Sequence, residues 1–182
     1  MKKRSTLFLV AVITSSLSAC ITYKVPKYQS SADTLLYLQQ LKLNPVAVTA
    51  VSRPAGVTDH LQCQTQGQVK AAGGYAYYVD TALRSELAKA NLLDDNAAVQ
   101  LTGILHNVTF NSWKNSWQLA LELTSSNGHK LNTQTTFRGE AVSLEEETSC
   151  RLVAQSMSAA VQQLLQQTLT SDDFVALLQP IP

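Results

Sequence analysis

The chain has 182 residues, with 14 basic against 13 acidic side chains and 45% hydrophobic content. Basic residues this few and this scattered give no electrostatic footprint for nucleic acid. The length allows one domain with a real core, and no second long apolar run follows the N-terminal one, so nothing further along reads as a membrane span.

Lys2, Lys3 and Arg4 form a positive segment, Leu7 to Thr14 an apolar one, and Leu17-Ser18-Ala19 supply the small residues a signal peptidase needs. The apolar stretch falls well short of the roughly 20 residues that span a bilayer. Residues 1–19 therefore read as a secretory signal peptide. Leu17-Ser18-Ala19-Cys20 resembles a bacterial lipobox. The resemblance implies that the Cys20 thiol is alkylated with diacylglycerol, that cleavage leaves Cys20 first, and that its amine is acylated (palmitate or a similar chain). One acyl chain holds a membrane reversibly, whereas two or more anchor stably. The other reading is an ordinary signal peptide followed by a chance cysteine. Enterobacterial-type lipoproteins kept in the inner membrane tend to carry aspartate at the next position, which here is Ile21. The resemblance thus implies the outer membrane, facing the periplasm, rather than the inner membrane.

Cleavage removes three positive charges and no negative ones, leaving 163 residues with 11 basic against 13 acidic side chains. Low charge with abundant Gln, Ser and Thr suits a periplasmic domain. Two cysteines then remain, Cys63 and Cys150, and an even pair in an oxidising compartment reads as a disulfide. Free or metal-bound thiols would call for CxxC spacing or clustered histidines, and neither is present.

Residues 20–32 read as the lipidated cysteine and a tether, and 33–182 as a single periplasmic α+β domain. Ser31 to Leu43 places Leu35, Leu38 and Leu41 on one side of a short helix. A strand follows over Val46 to Val51, closed by Pro54 and Gly56. "HLQCQTQGQVKAAGG" reads as loop, with room for an edge strand. Gly74 to Asn91 is the first long helix, its buried face marked by Tyr75, Tyr78, Val79, Ala82, Leu83 and Leu87. Val99, Leu101, Gly103 and Leu105 alternate as a second strand. Val108 and Phe110 continue it on the opposite parity, which predicts a bulge near His106–Asn107. Trp117 to Leu123 forms the third strand and Leu131 to Phe137 the fourth, joined by a tight turn at Asn127-Gly128, where both residues tolerate positive φ. A second long helix spans about Thr148 to Leu169, preceded by Glu145 to Glu147, whose charge suits a helix N-terminus. "SDDFVALL" closes the domain as a short capped turn.

The predicted class is α+β: a mostly antiparallel sheet of about four strands, in the order strand-helix-strand-strand-strand-helix, with two long helices packed on one face. A helical crossover makes the first two strands parallel, and two hairpins then bring the first and fourth strands to finish at the same end. That end receives both Cys63 and Cys150. With "ALRSELAKANLL", "VQLTGILHNVTF", "WQLALELTSSNGHKL" and "DDFVALL", the stretch from Tyr75 to Leu178 resembles the YajG-type family of bacterial lipoproteins. The family has no settled biochemical role, so the likeness implies fold and location alone.

No catalytic, cofactor or metal constellation emerges. His60, His106 and His129 lie on separate elements without metal-ligand spacing, and no GxSxG elbow is present. Asp94-Asp95 and Asp172-Asp173 sit at helix boundaries, where aspartates cap and turn. Gly73-Gly74 lacks the further glycines of a phosphate loop. Trp113, in "FNSWKNSW", is a candidate binding anchor on the link between strands two and three. The alternative is a ring folded back over the sheet end. The function these features suggest is a non-enzymatic binding or bracing module with an envelope protein partner and a lipid anchor. The alternative is an accessory lipoprotein of an envelope transport system for lipid or small molecules.

Overall fold

The structure, a computed structural model, describes residues 21–180 apart from residues 58 and 66. The segment read as a signal peptide and Cys20 lie outside the described residues.

Four strands in the order β2-β5-β6-β7 make the main sheet: β2 (Ala47–Ser52), β5 (Gln100–Asn111), β6 (Ser116–Ser125) and β7 (Lys130–Arg138). Strands β5, β6 and β7 bury alternate residues, so one face of the sheet is apolar and the other polar. Leu101 and Leu105 of β5 share the buried face with Trp117, Leu119, Leu121 and Leu123 of β6. Helices α2 (Tyr75–Lys89) and α3 (Glu146–Leu169) cover that face, contributing Val79, Leu83, Val153, Met157 and Val161 to one hydrophobic cluster. The α+β class and both long helices thus follow the sequence reading.

β2 pairs parallel with β5, as a crossover through α2 requires, while β5/β6 and β6/β7 are antiparallel. The register slips between Leu105 and Asn107. His106 is the extra residue, and the parity change from Leu105 to Val108 is its consequence. The β6–β7 turn differs from the reading. Gly128 alone has positive φ, 92°, and the hydrogen bonds Gly128 N to Ser125 O and Ser125 N to His129 O mark a three-residue loop with a bulge. Asn127 is thereby free to bond elsewhere. Its Nδ2 donates to the carbonyls of Ala176 and Gln179, closing the end of α4 (Asp172–Leu177). That helix is capped as read from "SDDF", with Ser171 Oγ accepting from Asp173 N at 3.2 Å.

Two segments depart further from the sequence reading. The supposed loop around Cys63 is a hairpin of β3 (Leu61–Cys63) and β4 (Gly67–Lys70), and the supposed tether begins with a strand, β1 (Ile21–Lys24). Together they form a second, three-stranded sheet in the order β1-β4-β3, with β1 parallel to β4. The tether reading of residues 21–31 is therefore corrected: after β1 the chain runs as a strap against α2. Its Tyr28 Oη and Ser31 N both donate to Oε1 of the buried Glu86, the latter at 2.9 Å. Glu86 Oε2 has no hydrogen-bond partner among the described residues. The strap leads into α1 (Ala32–Gln40), which buries Thr34 and Leu38, whereas Leu41 lies just beyond its end.

Candidate interaction surface

Cys63 and Cys150 are joined as a disulfide, with their Cα atoms 5.9 Å apart, inside the roughly 7 Å limit for bridging without backbone movement. Cys63 ends strand β3 rather than leading a helix, and Cys150 sits in the first turns of α3. The bond therefore ties the small sheet to the helix that covers the large one. Beside it, Ile21, Tyr23, Thr65, Gly67, Glu146 and Glu147 line a shallow depression. Thr65 closes this junction by donating both its N–H and its Oγ1 to Glu146 Oε1 at 3.0 Å. Burial, with Glu147 and Glu146 nearby, raises the Tyr23 hydroxyl above its ordinary pKa.

The β5–β6 loop, residues 112–115, and the segment after β7, residues 139–145, meet at this same end. Gln64 Nε2 donates to Ser112 Oγ at 2.6 Å, connecting the disulfide hairpin to the first loop. Asn115 connects the two loops: its Nδ2 donates to Ala141 O, and its own carbonyl accepts from Gly139 N, both at 2.8 Å. Ser156 of α3 donates to Asn115 Oδ1 at 2.8 Å and accepts from the Trp117 indole at 3.2 Å. The fit is close enough that a Cβ on Gly139 would come within 2.2 Å of Asn115 Nδ2.

Trp113 stands on the first loop with 44% of its surface exposed and is not among the residues of the buried cluster or those packed against it. Val142 and Leu144, on the adjoining segment, are 62% and 92% exposed. Sequence reading missed this pair because isolated apolar residues in a loop carry no periodicity. Of the residues singled out from the sequence, Cys63, Cys150 and Trp113 thus converge on one end, the end at which the described chain begins with Ile21. Cys20 lies outside the described residues.

The other candidates stay dispersed. Among the described residues no group of three or more His, Cys, Asp or Glu could hold a metal ion. His106 lies on the polar sheet face, where its ring and Lys130 both bond Glu122, holding that carboxyl below its ordinary pKa. Asp94 bonds the N–H of Asn96 in a turn. The N-terminus of α2, led by Gly73-Gly74, is already met by the Asp59 carboxylate, which accepts from Tyr75 N at 3.2 Å. A groove of about 320 Å³ runs between the strap and α2, lined by Val25, Pro26, Tyr28, Tyr77 and Tyr78 among others. No helix among the described residues is long and apolar enough to cross a membrane.

No family model and no curated protein matches the chain. Among solved structures it is similar to the crystal structure of protein XCC0632 from Xanthomonas campestris, described under DUF330. The identity is 10% and the TM-score 0.48, over 81% of this chain and 94% of that one.

Proposed function

We propose that the protein is a lipid-anchored, periplasm-facing lipoprotein of the outer membrane, attached through Cys20, whose folded part binds or braces another envelope component without catalysing a reaction. The observation that carries the reading is the exposed Trp113 at the end of the fold where β1 begins, one residue after the cysteine of the lipobox-like motif. A large aromatic left outside the core, beside a covalently pinned junction, has the character of a contact anchor on a rigid support. Replacing Cys20 with Ser should abolish lipid attachment and normal processing in a bacterial host. Equal incorporation of labelled palmitate into the variant would refute the anchor.

A second reading, an accessory lipoprotein of an envelope transport system, draws on the tyrosine-lined groove between the strap and α2. Its volume reaches the lower range of small-molecule sites and its lining is largely apolar. Co-purification of a lipid or other apolar ligand, lost when Tyr78 is replaced, would favour it over the first.

A further inference from the structure

We infer that the envelope component met by Trp113, Val142 and Leu144 is the bilayer itself, so that this end of the fold seats on lipid; the inference rests on the Cys20 anchor proposed above. Consecutive Cα atoms are about 3.8 Å apart, and β1 is hydrogen-bonded into the small sheet from Ile21 onward, in register with Gly67. An acylated Cys20 therefore has no spacer. Whatever surface surrounds Ile21 is held at the level of the lipid headgroups.

That surface is the one the loops build. Ile21 is itself 46% exposed and shares its depression with Thr65 and Glu146. Thr65 bonds Glu146, two residues beyond Leu144, and Gln64 bonds Ser112, one residue before Trp113. The three large apolar side chains are thus carried within a few bonded contacts of the anchor. Tryptophan is the side chain enriched at membrane–water interfaces, and a second attachment is what turns a lipid tether into a fixed orientation.

Charge bears on which lipid. Glu140, Glu145, Glu146 and Glu147 flank the patch, against Lys114 on the neighbouring loop, Arg138 at the end of β7 and Arg151 on α3, within electrostatic reach of Tyr23. With the signs this nearly balanced, attraction to anionic lipid does not drive the contact; it is apolar and suits a zwitterionic surface. Docking should need no anionic lipid and change little with salt.

The two tryptophans make the test direct. Trp117 is fully buried, so quenchers in solution or in lipid report on Trp113. The full-length protein, expressed in an envelope-bearing host and purified from its membranes, is reconstituted into phosphatidylethanolamine/phosphatidylcholine vesicles with and without brominated acyl chains. The expected result is loss of acrylamide quenching, a blue-shifted emission, and quenching by the brominated lipid. A Val142→Ser, Leu144→Ser variant should lose most of that lipid quenching with unchanged circular dichroism, both side chains being outside the core. An acylated N-terminal peptide with Trp113 still open to acrylamide overturns the docking and spares the anchor. So does protection that appears only when an envelope protein is added. An N-terminal peptide without acyl groups overturns the anchor, and the docking with it.

Discussion

Asn115 lies at φ 41° and is almost fully buried, yet nothing in "WKNSW" separates it from an ordinary polar loop residue. Its side chain bonds one loop and one helix, and its backbone bonds Gly139. Asparagine tolerates this left-handed conformation better than any β-branched or bulky residue. Replacing it with Ala removes the bonds to Ala141 O and from Ser156, whose hydroxyl keeps Val153 O as acceptor, and adds backbone strain, a combined loss of about 2–4 kcal/mol. Asn115→Gly keeps the conformation and should lose less. Urea denaturation of the two variants checks both the size and the order of the effect. Asn127 carries the same lesson. As half of an Asn-Gly pair it signalled a turn correctly, but its amide group closes α4, a partner some 50 residues away that no local pattern announces.

At the scale of elements, the long strands and helices were legible because each repeats one burial period over many residues. Trp117, Leu119, Leu121 and Leu123 alternate on β6, and Val153, Met157, Val161 and Leu164 recur along α3. The small sheet was not legible. β1, β3 and β4 have three or four residues each and mixed polarity, and β1 finds β4 across more than forty residues in a parallel register. Nor was the strap. Glu86 reads as a solvated position on α2 until residues 25–31 cover it. Burial, then the hydrogen bond to Glu86, raises the Tyr28 hydroxyl far above its ordinary pKa of 10.0. A group whose folded pKa is raised gives stability that is fully present below the unfolded value and lost as pH rises beyond it. The protein should therefore lose stability progressively above about pH 10, and Tyr28→Phe should flatten part of that decline. At neutral pH the same variant removes a hydrogen bond to a carboxylate, a cost of about 1.5–3 kcal/mol. Hydrogen exchange should then show faster exchange at Val25, whose amide bonds Lys70 O, while α2 stays protected.

For the molecule as a whole, the disulfide spans a sequence separation of 87 residues. The chain-entropy account assigns a loop of that size roughly 4.5 kcal/mol, with measured values often lower. Against a typical domain stability of about 5–15 kcal/mol this is a large share. Replacing Cys63 and Cys150 together with Ala should lower the melting temperature clearly while leaving far-ultraviolet circular dichroism unchanged. Mass spectrometry of non-reduced protein, exported by an envelope-bearing host, should find the two cysteines linked; two free thiols would refute the bond. The pairing was legible because an even cysteine pair already read as a disulfide, and the strand–helix order brought both cysteines to one end. The sheet that carries Cys63 was hidden by its shortness. That small sheet also sets how the molecule bears force. Tension applied at Ile21 along the line of β1 acts parallel to β4, so the bonds between them are sheared together instead of being unzipped singly. β4 leans on β3, and β3 is covalently fastened to α3. A tug at the N-terminal end is therefore delivered to the main helix of the core.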